Sequence, residues 1–153
     1  MKVILLTFLL FIFDNTFSQS SDIDQWRQLY VTAHQESSVC QRLYNLTENS
    51  DLNTNVLAYS YHAIANMLLG KFAYNPSEKW RYFKTGKTML EKAISQNPNN
   101  IELRFLRYCV QINSPFFLAY RSHIDSDKEM IIQHIDNQTE PLQSFIKPIF
   151  NQL

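Results

Sequence analysis

Apolar residues recur along the chain at the three- and four-residue spacing of an amphipathic helix. The clearest stripe lies between positions 57 and 72, and its members share one helical face: Leu57, Tyr61, Ile64, Ala65, Leu68, Leu69 and Phe72. Similar stripes occur at 22–47, 76–96, 101–112, 126–135 and 141–150. Sustained polar/apolar alternation is missing and the chain has only 2 Gly, which disfavours a turn-rich β fold. The pattern predicts an all-α fold, a compact antiparallel helical bundle.

The stretch at 101–112 differs from the other stripes because it is apolar on two faces. One face holds Ile101, Phe105, Tyr108, Cys109 and Ile112, and a second holds Leu103, Leu106 and Val110. A helix of this kind must be covered from both sides. We therefore expect it to be the most buried element of the bundle.

Asn and Pro mark the boundaries of the central helices. Asn75 can cap a helix whose first position is Pro76. The Asn-Pro-Asn-Asn turn at 97–100 ends that helix and supplies a cap for the next one. The spacing thus predicts a helical hairpin over 57–96 followed by a separate helix from Ile101.

Four further features carry local predictions. Ser114 before a Pro, and Ser126 three residues before Glu129, have the chemistry of helix caps. Gly86 inside a helix costs about 1 kcal/mol relative to Ala, which suggests close approach of a neighbouring helix. The polar residues 35–38 either divide the first helical segment into two or form its exposed face.

The N-terminus has the pattern of a signal peptide. The run Val3–Phe13 is almost entirely apolar and follows Lys2. It is too short to span a bilayer, which takes about 20 apolar residues, and small residues place a cleavage after Ser18. The sequence predicts a signal peptide at 1–18 and a single helical domain at 19–153. We expect an exported protein, periplasmic or secreted, with no membrane span after cleavage.

Composition and charge narrow the function classes. Hydrophobic residues make up 45% of the chain, enough for a core and too many for a disordered chain. Lys+Arg and Asp+Glu are balanced at 14 each, so no overall field favours nucleic acid or anionic lipid. The middle of the chain, residues 71–107, is locally basic. Its excess of Lys and Arg either steers an acidic partner, holds the domain together or forms solvated faces.

Two cysteines are far apart in sequence, at Cys40 and Cys109. An oxidising compartment would permit a disulfide between them. Each also lies on an apolar stripe, where a free thiol behaves as a small buried hydrophobe. Both readings are open at the level of sequence.

Arg104 and Arg107 lie one turn apart on the helix expected to be buried. They can form a recess that accepts an anion or an acidic peptide. Alternatively, they form internal salt bridges, because buried charges must be paired. The carboxylates that we consider for this pairing are Glu78, Glu91 and Asp127.

Aromatic and basic residues alternate at 79–84, in the order Lys-Trp-Arg-Tyr-Phe-Lys. This mixture resembles a nucleic-acid surface. In an exported protein, aromatic packing with solvated charges is the better interpretation, and no nucleic-acid partner is expected.

Motifs for metal binding or catalysis are missing from the sequence. The alternating residues His123, Asp125, Asp127 and Glu129 lack the Gly and terminal Glu of a calcium loop. No nucleophile elbow, phosphate loop or dinucleotide-binding pattern occurs. We expect no metal, no cofactor and no catalytic site.

One helical hairpin resembles a tetratricopeptide repeat. Tyr61, Ile64, Ala65 and Leu68 match the first helix of that repeat, and Gly86, Leu90, Ala93 and Pro98 match the second. The resemblance implies a helical-repeat scaffold that binds a protein or peptide. Together with the N-terminal segment and the Arg104–Arg107 stretch, the hairpin is also similar to small uncharacterised exported proteins of Bacteroidota-type bacteria, which implies no activity.

Two functions follow as expectations. The first is an exported soluble scaffold or protein/peptide-binding module without catalysis. The second is a carrier of a small apolar ligand between helices, suggested by the 11 Phe and 8 Tyr. A closed apolar cavity would favour the carrier, and exposed aromatic residues would favour the scaffold.

Overall fold

The computed structural model describes residues 13–153, and the surroundings of side chains from Asp22 onward. This part of the chain is helical and contains no strand. The α-helices are α1 (Phe13–Ala33), α2 (Ser37–Thr47), α3 (Val56–Phe72), α4 (Pro76–Gln96), α5 (Ile101–Asn113), α6 (Ile124–His134) and α7 (Glu140–Phe150). Short 3₁₀ turns lie at Phe116–Leu118 and Ile135–Asn137. The predicted all-α fold is confirmed.

The first predicted helical segment is divided in two, since α1 ends at Ala33 and α2 begins at Ser37. α1 also includes the predicted cleavage position after Ser18. Residues 1–12, which hold most of the predicted signal peptide, lie outside the described residues. Among residues 13–153, no helix combines the length and apolarity needed to cross a bilayer.

Two Asn caps are formed as the sequence predicts. The Asn75 side chain accepts a hydrogen bond from the Glu78 backbone N–H at 2.7 Å, and a Pro follows in the first turn of α4. Asn100 accepts from the Leu103 backbone N–H at 3.1 Å and caps α5. Such a cap typically contributes about 1 kcal/mol, because it satisfies an amide that the helix leaves unpaired.

The two predicted Ser caps are wrong. The Ser114 hydroxyl donates to the Val110 carbonyl at 2.7 Å, and the Ser126 hydroxyl donates to the His123 carbonyl at 3.1 Å. α6 begins at Ile124, so Ser126 lies inside its first turn. In both cases the hydroxyl bonds a carbonyl three or four residues earlier, a local bond that competes with capping.

α3 and α4 pack closely as an antiparallel hairpin. A Cβ atom added at Gly86 would lie 2.3 Å from the Ala63 carbonyl oxygen and 2.6 Å from Met67 Cγ. A Cβ added at Gly70 would lie 3.0 Å from the Lys79 carbonyl oxygen. The predicted close approach at Gly86 is confirmed, because any larger residue would push the two helices apart.

α1 runs parallel to α3. Trp26 packs against Tyr61 with ring centroids 6.1 Å apart, and two to three turns further along the chain in both cases Lys71 Nζ donates to the His34 carbonyl at 2.7 Å. The C-terminal ends of α1 and α3 therefore lie at the same end of the bundle.

α4 and α5 run in opposite directions. Glu91 of α4 pairs with Arg107 of α5, while Phe83, two turns earlier in α4, contacts Tyr120 beyond the end of α5. The beginning of α4 and residues 114–121 thus join the C-terminal ends of α1 and α3 at one end of the bundle.

Apolar side chains form two clusters on opposite sides of α5. The first cluster lies among α1 to α4 and takes Leu103 and Leu106 from α5. The second lies among α5, α6 and α7, and its α5 members are Ile101, Phe105, Tyr108 and Cys109. The expectation that α5 is covered on both sides is confirmed.

Of the two alternatives for the cysteines, the structure has free buried thiols and not a disulfide. Both are free and buried, Cys40 in the first cluster and Cys109 in the second. The Cys40 thiol donates to the Ala65 carbonyl at 3.5 Å. Burial raises the pKa of Cys40 to about 11 and that of Cys109 to about 12, so both behave as buried apolar groups.

Candidate functional site

Arg104 and Arg107 are bound by carboxylates of the same chain. Arg107 donates to both oxygens of Asp127 at 2.7 Å and to Glu91 at 2.8 Å. Arg104 donates to Asp127 at 3.0 Å and to the Pro98 carbonyl at 2.8 Å. Internal pairing with Glu91 and Asp127, one of the two predicted alternatives, is confirmed.

Burial explains why this pairing must be internal. The Asp127 and Arg107 residues are 0% and 2% exposed. Burial disfavours the charged form of Arg107, but the contacts with Asp127 and Glu91 outweigh it and raise its pKa. Glu91 also accepts a short hydrogen bond from Tyr120, whose pKa is raised by burial and by this bond. An external anion at Arg107 would have to displace these partners.

A second buried ion pair joins α1 and α5. Arg27 donates to both oxygens of Glu102 at 2.9 and 2.7 Å, and the Tyr61 hydroxyl donates to the same carboxylate at 2.7 Å. Glu102 is 2% exposed. This network has every oxygen of the carboxylate occupied, so it positions helices rather than a ligand.

The predicted acidic stretch at 123–129 provides no metal centre in the described part of the chain. Its one buried carboxylate, Asp127, is held by two arginines. No cluster of three or more His, Cys, Asp or Glu residues suited to a metal occurs among residues 13–153.

Exposed aromatic and basic side chains lie together at the end of the bundle where α4 begins. Four large aromatic residues are exposed there: Tyr74 (98%), Trp80 (54%), Phe116 (84%) and Phe117 (83%). The basic residues of this end are Lys71, Lys79, Arg81, Lys84, Lys87 and Arg121. We call these ten residues the aromatic–basic end.

Ring contacts join the two parts of the aromatic–basic end. Trp80 packs near Phe83 with centroids 6.2 Å apart, and Phe83 packs against Tyr120 at 5.9 Å. Lys87 Nζ lies 4.7 Å from the centre of the Tyr120 ring. The first turns of α4 are therefore continuous with the loop that carries Phe116 and Phe117.

The arginines of this end are partly occupied by internal contacts. Arg121 lies 4.8 Å from the centre of the Phe116 ring and donates to three carbonyls at the end of α5. Arg81 stacks on Tyr82 at 4.6 Å and lies 3.7 Å from Glu78. These contacts leave lysines as the most available cations.

Three lysines, Lys79, Lys84 and Lys87, form no ion pair among the described residues. Lys79 and Lys84 are exposed and Lys87 is half-buried. Glu36 and Glu78 are acidic residues of the same end, and Asp125 follows in the first turn of α6. Cations therefore outnumber these carboxylates at this end.

Only part of the aromatic–basic end was predicted from the sequence. Phe83 is buried, as predicted for the aromatic residues at 79–84, but Trp80 is more than half exposed. Phe116 and Phe117 lie in the 3₁₀ turn after α5, and their exposure was not predicted from the sequence. The Phe-Phe pair itself indicates this exposure, because two adjacent Phe residues in one short turn cannot both face the core.

Comparison with known proteins gives no relative: no family model, curated protein or solved structure matches the chain.

Proposed function

We propose that this protein is an exported helical scaffold that acts by binding, without a catalytic site, and that the aromatic–basic end is its docking surface. The observation that carries the proposal is the exposure of four large aromatic residues at one end of the bundle, among them the three most exposed large apolar side chains of the described residues. Contiguous exposed apolar surface, rimmed by polar residues, is typical of interaction sites. The partner favoured by the sequence is a protein or peptide.

The charged groups of the interior support a binding role. The buried carboxylates Glu102 and Asp127 are held by arginines, and this leaves neither as an available acid or base. Two depressions of about 270 and 230 Å³ are open to solvent. Charged or polar residues dominate the lining of both. No observation in residues 13–153 favours a carrier of an apolar ligand.

Site-specific photo-crosslinking tests the docking role. A benzophenone side chain replaces Phe117 in the producing cell, and a matched variant carries it at Leu46, which is 46% exposed at the C-terminal part of α2. We expect a discrete adduct from position 117 and none from position 46. A protein adduct is seen as a gel shift and a lipid adduct as a mass increase. Equal labelling from both positions, or none from 117, would contradict the proposal.

Export is a separate part of the proposal and has its own measurement. It is supported by the apolar run and small residues that precede Gln19. Mass spectrometry of the mature protein is expected to find a chain that begins at Gln19. A chain beginning at Met1 would contradict it.

A further inference from the structure

We propose that the aromatic–basic end binds the interface of an anionic lipid bilayer. This inference rests on the proposed docking function and names the class of partner. It is carried by the shape of the surface, by the types of its aromatic residues and by the lysines that surround them.

The shape of the end suits a bilayer better than a peptide. Tyr74 lies in the loop between α3 and α4, and Phe116 and Phe117 lie in the turn after α5, all more than four-fifths exposed. Peptide-binding sites are usually grooves with pockets for side chains. Two open depressions of the described residues lie elsewhere, on α6 and between α2 and α3. Protruding aromatic residues can enter a bilayer surface, which deforms around them.

The residue types also fit the headgroup region. Tyr74 and Trp80 have an apolar ring and a polar tip, the combination enriched at membrane interfaces. Phe116 and Phe117 add apolar area, and interfacial binding strengthens with buried apolar area and with attraction to anionic lipids. The four side chains therefore supply both parts of an interfacial anchor.

The types of basic residue at this end favour a lipid partner over a protein partner. Arg is enriched and Lys depleted at protein–protein interfaces. At this end Arg121 is engaged by Phe116 and by three carbonyls at the end of α5, while Arg81 contacts Tyr82 and Glu78 and stays 65% exposed. Lys79 and Lys84 are exposed without an ion pair among the described residues. Near an anionic membrane each Lys or Arg strengthens binding by about fivefold. Flexible lysines that surround protruding rings suit this diffuse attraction.

Vesicle binding tests the inference. The probes are vesicles of phosphatidylcholine alone and of phosphatidylcholine with an equal part of phosphatidylglycerol. We expect sedimentation with the anionic vesicles only, weaker binding at high salt, and a blue shift of tryptophan emission. The chain has 2 Trp, and Trp26 is already buried at 6% exposure, so the shift reports Trp80. The variant Trp80→Phe should lose the shift and still sediment.

Matched variants locate the binding surface. Lys79→Gln with Lys84→Gln should weaken binding to anionic vesicles by about 25-fold, or about fivefold for each charge. Lys92→Gln with Lys128→Gln removes the same charge from exposed positions further along α4 and α6, outside the ten residues of this end, and should weaken binding clearly less than the first pair. Circular dichroism checks that both variants fold. Any retained Val3–Phe13 segment would bind lipid itself, but it is the same in both variants, so the difference between them reports the surface.

Three outcomes would overturn the inference. These are no difference between the two double variants, equal binding to vesicles without phosphatidylglycerol, and no vesicle binding. If the probe at Phe117 captures a protein while vesicles do not bind, the surface is reassigned to a protein partner. In that case the docking function stands, whereas absence of any adduct together with absence of vesicle binding contradicts both proposals.

Discussion

At the scale of single residues, Asp127 is a fully buried carboxylate that depends on two arginines. Arg107→Met removes the bidentate partner of Asp127. The carboxylate then keeps a single hydrogen bond, from Arg104. Breaking a buried ion pair on one side typically costs 3–5 kcal/mol, because the remaining charge stays buried without compensation. We expect the free energy of unfolding to fall by about this amount, measured by urea denaturation.

The matched control for this variant is Arg81→Met. Arg81 and Glu78 form an exposed pair at 3.7 Å, with side chains 65% and 38% exposed. Exposed pairs contribute about 1 kcal/mol or less. If Arg107→Met costs no more than Arg81→Met, the buried network does not stabilise the fold in the way that we describe.

His62 gives the stability a pH dependence. It is 8% exposed, and its Nδ1 lies 3.2 Å from the Thr47 hydroxyl and 3.3 Å from the Tyr44 carbonyl. Burial lowers the pKa of His62 from 6.5, although the contact with Tyr44 and the charge of Glu48 act the other way. The unfolded chain therefore binds a proton more readily than the folded chain does.

The sign of the effect follows from this difference. The folded protein loses stability as the pH falls below 6.5 toward the lowered pKa, by at most about 1.4 kcal/mol per pH unit. His62→Gln should flatten the stability profile between about pH 5 and 7. His34→Gln, at an exposed position, serves as the control and should keep the wild-type slope. An identical slope in the His62 variant would contradict the prediction.

At the scale of elements, Gly86 sets the distance between α3 and α4. Gly86→Ala gains about 1 kcal/mol of helix propensity. It also places a methyl group 2.3 Å from the Ala63 carbonyl, and overpacking of this kind typically costs 1–3 kcal/mol or more. We expect a net loss of about 1–2 kcal/mol in the free energy of unfolding.

Gly70→Ala is the matched test on the same helix pair. Its added methyl would lie 3.0 Å from the Lys79 carbonyl and 3.3 Å from Tyr82 Cβ, a milder approach than at Gly86. The variant should therefore be less destabilised than Gly86→Ala when both are measured by thermal unfolding. The reverse order would show that the contact at Gly86 does not limit the packing of the hairpin.

The elements themselves were largely predictable from local chemistry. The position of α4 follows from Asn75 and Pro76, because a cap and a first-turn Pro act within a few residues. Ser126 misled the prediction because a hydroxyl can bond a preceding carbonyl as easily as cap a helix. The exposure of Trp80 and Phe117 depends on which helices end beside them, and sequence spacing alone does not contain that information.

At the scale of the whole molecule, α5 connects the two apolar clusters and both buried ion networks. Its Glu102 pairs with α1, and its Arg107 pairs with α4 and α6. The hydrogen bonds of these ion pairs are directional, so they fix the position of α5 along and around its axis. Apolar contacts alone would allow α5 to slide or rotate. The arrangement leaves the end of the bundle, rather than its interior, as the place where large side chains remain available to a partner.

Because α5 belongs to both clusters, the bundle should unfold as one cooperative unit. Ile146 of α7 is 0% exposed in the second cluster, and Ile146→Ala should cost about 2–5 kcal/mol. Trp26 lies in the first cluster, so its fluorescence reports the opposite side of α5. In a Trp80→Phe background, which leaves Trp26 as the one Trp of the chain, we expect Ile146→Ala to shift the fluorescence transition and the far-ultraviolet circular dichroism transition equally in urea. The prediction is contradicted if the fluorescence midpoint stays in place while the dichroism signal falls in two steps. That result would show that the α6–α7 layer unfolds first, because the first cluster would then remain intact without the second cluster.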